Sequence, residues 1–578
     1  MQDCGQLLQH AQFAQALTLS LGSGLAATLL ALGASACMLS TGLGLHAPRK
    51  HATLLPAMLA LPHVAFALGC VLLLAPSGWL LRFLFTLLRP LADAMPWPLD
   101  APPPWQSTQD PWALGLVLVL VCKEIPFLLW GALAHMQRPD VAQAWAAQMR
   151  VAATLGYSAQ SAWWRVVWPQ LLPRMAGPLL AVWVYSLSVV DVAWIIGPGA
   201  PPTLAVLAWQ WLQDADPAVR AQGLAAVVLL ALCTVLVAAL AWMLYRMDVR
   251  WLAPARWTRG PQVRLGTLPA PIGARYGLWS GGLQTIPDAS HRPMGRTLRW
   301  MPGWQAATRR WAGSGATRRT IGRCLLRTLP AWYALVAAAL LWGSVAGVWP
   351  FPAPWPQAWT LQAWQQVLGS TSALGTTLWL GLASAGTALV LALACLECLP
   401  ARWHGTVFGG SYLPLALPGL LWAIGLQRLS IALGWDASAS GLWLAHTLSA
   451  WPYVLLSLQG PYAALDPRGA QLAASLGRSR LAYVCLVQWP LLRAALAAAF
   501  AVGFAVSVAQ FLPTLFVGGG RFATVTTEAV ALSAGGQRSL LAAFALLQWL
   551  LPACLFALAL WLGRKRRFAQ PLVARGLA

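Results

Sequence analysis

The segment AATLGYSAQSAWWRVVWPQLLP at residues 152–173 returns as AASLGRSRLAYVCLVQWPLL at residues 473–492. We call these segments the first and second repeat loops. In one register with an offset of 321 residues, the identical pairs include Ala152/Ala473, Ala153/Ala474, Leu155/Leu476, Gly156/Gly477, Ser158/Ser479, Val166/Val487, Trp168/Trp489 and Pro169/Pro490. The register continues at Ser186/Ser507, Gly197/Gly518, Gly199/Gly520 and Thr203/Thr524. A repeat of this length predicts two copies of one structural unit in a single chain.

The sequence around the loops has the composition of a membrane protein. Of the 578 residues, 59% are hydrophobic and only 9% are charged, whereas soluble proteins carry about 25% charged residues. Several apolar stretches reach the roughly 20 residues that a helix needs to cross a bilayer. We therefore predict an all-α polytopic membrane protein with five spans in the first half and six in the second. The candidate spans are residues 17–39, 53–74, 112–134, 177–197, 222–244, 331–349, 376–397, 407–428, 441–459, 494–516 and 539–562.

The odd number of spans follows from the repeat. Thr18-Leu19 aligns with Thr377-Leu378, so the first half lacks a counterpart of span 331–349. Either the unit starts outside the membrane or the natural start lies upstream. No basic segment precedes the first span, so we expect no cleaved signal peptide.

Arginine and lysine orient the chain. Placing both repeat loops, the linker and the C-terminal tail on one side puts 31 of the 38 Lys and Arg residues there. The positive-inside rule then places that side, including the C-terminus, in the cytoplasm. The net charge of +23 is accounted for by topology and by contact with anionic lipid in the bilayer, so we expect no nucleic-acid partner.

The chain divides into four regions. We predict a first transmembrane repeat at 1–244, a basic cytoplasmic linker at 245–330, a second repeat at 331–563 and a basic tail at 564–578. Within the linker, 304–328 is basic enough to form a surface helix. The first repeat carries an extra 76–111 segment on the extracytoplasmic side, where 78–95 has the pattern of an amphipathic interfacial helix.

Motifs of enzymes are missing from the sequence. The only lysines are Lys50, Lys123 and Lys565, and none lies in a GxxxxGK[ST] phosphate loop. No HExxH, GxSxG or metal-spaced His/Cys cluster occurs either. We therefore predict a protein that is not an enzyme and binds no nucleotide, metal or other cofactor itself.

The repeat loops carry the strongest functional signal. A glycine between two short helices permits a tight turn, and small alanines let the turn seat on another protein. The loops resemble the EAA loop of ABC-importer permeases: Ala152-Ala153 and Ala473-Ala474 match its alanines, while Gly156, Gly477, Pro169 and Pro490 match its glycine and proline. The Glu of that motif is replaced by Val151 and Leu472.

The resemblance covers both halves and is nearest to fused permeases of the ferric-iron and thiamine type and an uncharacterised relative of them. The runs PHVAFALG (62–69), APSGW (75–79) and KEIPFLL (123–129) resemble that relative. It implies a pathway between the halves, solute delivery by a periplasmic binding protein, and a separate ATPase, in two copies, that binds ATP. The missing acidic residue puts any salt bridge at that position in doubt.

Polar residues within the spans are candidates for the pathway or a gate. Lys123 and Glu124 lie deep inside a span, where ionisable groups are costly and usually functional, and we predict a gate or a packing contact with the other half. Pro62 and Pro418 interrupt their spans, which frees backbone carbonyls. His446 is expected to be a hydrogen-bonded packing residue. The remaining candidates are Ser186, Asp191, Ser507 and Gln510.

Two other function classes stay open. A secondary transporter driven by an ion gradient would need carboxylates within the membrane, for which Glu124 and Asp191 are few, and it would leave the paired loops unexplained. A scaffolding membrane protein would transport nothing. Dependence of uptake on an ion gradient instead of ATP would identify the first, and absence of any uptake the second.

Overall fold

A computed structural model describes residues 10–41, 54–90, 100–103, 105–136, 138–251, 315–466, 468–535 and 537–564. In this part of the chain the secondary structure is helical, apart from one isolated bridge between Ala346 and Trp359. Helices suit the apolar segments because they satisfy every backbone hydrogen bond locally, as a bilayer requires. The first-half helices are α1 (Phe13–Thr41), α2 (Leu55–Ala60), α3 (His63–Leu74), α4 (Trp79–Leu88), α5 (Leu114–Met136), α6 (Pro139–Thr154), α7 (Ala159–Ala162), α8 (Trp168–Leu171), α9 (Ala176–Ser188), α10 (Asp191–Ile196), α11 (Leu204–Leu212) and α12 (Pro217–Trp251).

The remaining helices follow the linker. They are α13 (Gly315–Val345), α14 (Gln362–Gly369), α15 (Thr371–Cys398), α16 (Ala401–Ser411), α17 (Leu413–Ala416), α18 (Gly419–Ala432), α19 (Ala439–Ala463), α20 (Arg468–Ser475), α21 (Arg480–Tyr483), α22 (Trp489–Ala509), α23 (Leu512–Gly518), α24 (Val525–Leu532) and α25 (Arg538–Arg564). The all-α fold of a polytopic membrane protein is thus confirmed.

Eight helices in the described residues are long and apolar enough to cross a membrane, fewer than the eleven predicted spans. Predicted span 177–197 is broken between α9 and α10, and span 407–428 is broken at Pro418. The third predicted span without such a helix is 441–459, which corresponds to α19. Helix α19 is 25 residues long, but it is less apolar because its buried residues include His446, Thr447 and Ser449.

The sequence repeat reappears in the backbone at the same offset. One turn of π-helix spans Trp163–Val167 in the first loop and Val484–Gln488 in the second. A short helix precedes the π-helical turn in each loop. Ser158 and Ser479 cap these short helices by accepting a hydrogen bond from the backbone N–H three residues later. A turn, an N-cap and a π-turn therefore recur in the same order in both halves.

The register of the first span differs from the predicted one by two residues. Leu204 N–H donates to Ser20 Oγ at 2.8 Å, and the equivalent Val525 N–H donates to Thr377 Oγ1 at 2.9 Å. Ser20, not Thr18, is therefore the counterpart of Thr377. The predicted pairing was wrong because one Thr-Leu identity in a helix rich in these residues carries little information.

Equivalent helices form a packed trio in each half. In the second half α15, α19 and α22 pack on one another, and α1, α5 and α9 do so in the first. The largest buried apolar cluster includes residues of both halves, such as Phe66, Leu187, Leu420 and Phe544. The two copies thus pack around a shared core.

Helices extend into both ends of the predicted linker. Helix α12 continues to Trp251 and α13 begins at Gly315, so part of predicted linker 245–330 is helical at both ends. Residues 315–328 of the predicted surface helix are continuous with the span, while 304–314 and most of the linker lie outside the described residues. Helix α13 then packs on α1 and α3 of the first half.

Candidate functional site

Both repeat loops present apolar side chains at their turn. Val151 and Leu155 are 60% and 61% exposed in the first loop, and Leu472 and Leu476 are 63% and 70% exposed in the second. Residues four apart on a helix lie on one face, so each loop carries an exposed apolar pair at equivalent positions. The residues that replace the family's Glu belong to these pairs.

The turn in each loop depends on its glycine. Gly156 has φ +80° and Gly477 has φ +69°, in the left-handed region that side chains disfavour. No neighbouring atom lies within 4 Å of a Cβ built on either glycine, so conformation alone requires glycine here. Of the matched alanines, Ala152 is buried and Ala473 half-buried, while Ala153 and Ala474 are exposed.

Different contacts anchor the two loops. In the first, buried Trp145 donates to Gln170 Oε1 at 3.1 Å, just after Pro169. In the second, Glu397 at the end of α15 forms an ion pair with Arg480 at 3.6 Å and accepts a hydrogen bond from Gln488, just before Pro490. The second loop is thus tied to a span by charge, whereas this hydrogen bond in the first joins α6 to the residue after Pro169.

Lys123 and Glu124 lie on either side of the break at Pro62. Lys123 Nζ donates to the carbonyl of Met58 at 3.2 Å and to that of Leu61, at the end of α2. Glu124 Oε1 lies 3.2 Å from His63 Nε2, at the start of α3. The lysine therefore satisfies carbonyls that the broken helix leaves open, and the glutamate holds the helix that follows.

Aromatic side chains from both halves surround this break. Tyr185 of α9 lies against His63 with ring centroids 4.7 Å apart. Tyr333 of α13 lies 5.6 Å from Lys123 Nζ, measured to its ring centroid. Tyr453 of α19 and half-buried Asp191 are close enough for electrostatic contact with Glu124 and His63 respectively. Residues of both repeats therefore meet at the Pro62 break.

The Pro418 break also faces the other half. Gly419 N–H, the first residue of α18, donates to Ser188 Oγ of the first half at 3.4 Å. Helix α9, which ends at Ser188, packs on both α17 and α18. Both breaks thus lie where the two repeats contact each other.

Other predicted pathway residues lie elsewhere. Ser186 and Ser507 are buried at equivalent positions, so neither hydroxyl faces an open path in this structure. Ser507 Oγ and Thr514 Oγ1 lie 2.9 and 3.0 Å from the two ring nitrogens of His446, consistent with a packing role for that histidine. Ser186 Oγ is buried without a hydrogen-bond partner, and Gln510 is half-buried at the end of α22.

Several contacts could not be predicted from the sequence. His63, Tyr185, Tyr453 and Glu397 are single polar residues in apolar segments, without a motif around them. A signal existed for His63 alone, because it directly follows the span-breaking Pro62. The runs that begin at Pro62 and Lys123 contact each other through the His63–Glu124 pair.

Known proteins resemble the chain over most or part of its length. It is 34% identical over 519 residues to the inner membrane ABC transporter permease protein YnjC of Escherichia coli (strain K12), covering 89% of this chain and 82% of YnjC. It is 27% identical over 173 residues to the thiamine transport system permease protein ThiP of Brucella abortus (strain 2308), covering 27% of this chain and 32% of ThiP. ThiP of Brucella suis biovar 1 (strain 1330) matches to the same extent. No family model matches the chain.

Proposed function

Because the chain belongs to the fused permease subunits of ABC importers, we propose that its repeat loops bind a separate ATPase and that solute crosses between its halves beside the Pro62 and Pro418 breaks. As the permease component of an importer, the protein is a multi-pass inner-membrane protein. The comparisons give no support to a secondary transporter. The alignment with ThiP covers about a third of ThiP, so thiamine transport is a property of that protein only.

The exposed apolar pairs on the repeat loops carry the proposal. Val151 with Leu155, and Leu472 with Leu476, occupy equivalent positions in the two loops. Two equivalent surfaces suit a partner with two-fold symmetry, so the ATPase binds as two copies. The chain lacks a phosphate loop, and ATP is bound on that partner. The loops and the C-terminus are cytoplasmic. A periplasmic binding protein delivers the solute at the opposite face of the membrane.

The replacement of the family's Glu defines the chemistry of this docking. With Val151 and Leu472 at that position, the ATPase surface contacts an apolar pair instead of a carboxylate. Burying a leucine or valine side chain contributes about 1.5–3 kcal/mol. The complex therefore resists salt, because apolar burial is not screened as exposed ion pairs are.

Residues from both halves at the two breaks support the pathway. At the Pro62 break, Tyr333 of the second half has its ring centroid 5.6 Å from Lys123 Nζ, and the Pro418 break meets Ser188 through Gly419. Discontinuous helices at the interface of two repeats are the usual place for a transporter's solute site. Here Lys123 and Glu124 are positioning residues, since they hold the two helix ends at Pro62.

The test is co-purification of the ATPase with tagged protein from the native host in mild detergent. We expect a phosphate-loop ATPase with the wild type and none with the Leu155→Glu/Leu476→Glu variant, because each loop then loses an apolar contact and gains a charge. Leu433→Glu is the matched control, because Leu433 is an exposed leucine outside both loops. Absence of an ATPase from the wild type, or equal recovery with the double variant, would contradict the proposal.

A further inference from the structure

A cavity of about 270 Å³ lies where α13 ends and α25 begins. Its walls include Trp79 and Arg82 of α4, Trp342 of α13, Trp349 and Arg538. At the other end of α25, Gly563 lies beside Ala494 at the start of α22, next to the second repeat loop. The cavity is therefore at the membrane face opposite the loops, and it is far larger than the roughly 10–15 Å³ that one water needs.

Arg82 is a buried cation in the wall of this cavity. The residue is only 5% exposed. Its guanidinium donates to the carbonyls of Ser77, Trp349, Pro350 and Ala353 at 2.7–3.3 Å. These acceptors are neutral, so they satisfy its hydrogen bonds but do not balance its charge.

A second guanidinium converges on the same point. Arg538 donates to the carbonyl of Ser77 at 3.3 Å and to the Ser77 hydroxyl at 2.7 Å, and that carbonyl also accepts from Arg82. Within the described part of the chain, neither arginine forms an ion pair with a carboxylate. Two like charges on one carbonyl repel each other, and a bound anion would offset that repulsion.

The cavity wall holds two further unpaired donors, while Gln537 and Ser539 in the same wall can both donate and accept hydrogen bonds. The indole N–H groups of Trp79 and Trp342 are buried and have no hydrogen-bond partner. The two rings stack with centroids 5.9 Å apart, and both contact Trp355. An excess of donors over acceptors favours an anion with several oxygens.

The surroundings place the cavity at headgroup depth. Helix α4 exposes apolar side chains on the face away from Arg82, namely Leu80, Phe83, Leu84 and Leu87. Clustered tryptophans are typical of the membrane–water interface. Leu72 and Ala339, from spans α3 and α13, form part of the cavity wall, so an acyl chain could continue from the cavity along the spans.

We propose that this cavity binds the phosphate group of a phospholipid from the leaflet at that face, held by Arg82 and Arg538. The proposal is independent of the ATPase and the solute. Its chemistry is that of a phosphate anion, which a lipid headgroup or free phosphate could supply. The lipid would fasten the 349–353 segment and α4 to the ends of α13 and α25.

Arg538 is the residue to change, because Arg82 also holds the 349–353 backbone and its loss could prevent folding. We expect phosphatidylglycerol to bind the purified full-length chain in native mass spectrometry. Arg538→Gln should weaken that binding about tenfold through the loss of a charge-assisted contact, and Arg538→Lys should weaken it less. Arg521→Gln, which changes an exposed arginine between α23 and α24, should leave it unchanged.

Thermal unfolding separates the two sources of phosphate. Phosphatidylglycerol in detergent should raise the wild-type Tm by about 2–4 °C, with each variant compared with its own lipid-free Tm. If inorganic phosphate gives the same Tm shift and Arg538→Gln abolishes it, the cavity binds phosphate. The proposal that a lipid supplies that phosphate would then be wrong. If neither ligand binds, or Arg538→Gln responds like the wild type, the proposal is wrong.

Discussion

Lys123 and Glu124 show how two adjacent charged residues can hold a helix that is broken within the membrane. Their charges in an apolar span predicted a role, but their partners lie about 60 residues away and could not be predicted. Adjacent side chains on a helix point about 100° apart. That divergence lets one side chain reach the end of α2 and the other the start of α3.

Replacing Lys123 should therefore destabilise the protein. In Lys123→Met the carbonyls of Met58 and Leu61 lose their donor, which costs about 1–3 kcal/mol. Glu124→Gln keeps an oxygen for His63 and should cost less. Unfolding in mixed micelles measures the effect, with Leu118→Met on the same helix as the control because Leu118 is exposed. Equal stability of Lys123→Met and wild type would refute this account of the break.

In each half, a glycine in the first span of the helix trio lets an equivalent aromatic side chain pack closely against it. Ideal Cβ atoms at Gly24 and Gly381 would lie 3.4 Å from Trp183 and 2.6 Å from Phe504, and these aromatic residues are equivalent in the 321-residue register. The repeat loops could be aligned from the sequence because many identities, including Gly156/Gly477 and Pro169/Pro490, fall in one register. The first spans could not, since Ala, Leu, Gly and Thr recur there, and only packing determines their register.

Close packing at Gly381 can be tested directly. Gly381→Ala should destabilise the second half by about 1–3 kcal/mol, because the added methyl group overlaps the Phe504 ring. Phe504→Leu should restore part of that loss in the double variant, although it costs stability alone. Gly386→Ala on the same helix is the control, since no neighbouring atom lies within 4 Å of its Cβ. A neutral Gly381→Ala would show that α15 and α22 are not packed this closely.

At the scale of the whole molecule, the two halves share a framework but differ in their polar contacts. Ser507 is bonded to His446, whereas the equivalent Ser186 has no partner. Glu397 ties the second loop to α15, whereas Ser40, at the corresponding position in α1, bonds to the carbonyl of Cys37 in its own helix. The sequence predicted the duplication from identities, but differences of this kind depend on contacts between distant segments. The two repeat loops therefore expose similar apolar pairs, but different contacts hold the loops to the rest of the protein.

Separate changes in the two loops test whether both contact the ATPase at once. In a bivalent complex the second contact forms within the assembly, so losing one contact weakens binding by roughly 10²–10⁴-fold without abolishing it. We therefore expect Leu155→Glu and Leu476→Glu each to retain weak ATPase binding in a titration of purified components, and the double variant to retain none. Because the apolar pairs occupy equivalent positions, the two single losses should be of similar size. If one single variant were as severe as the double and the other silent, only one loop would bind the ATPase, and the duplicated loops would not form a two-fold interface.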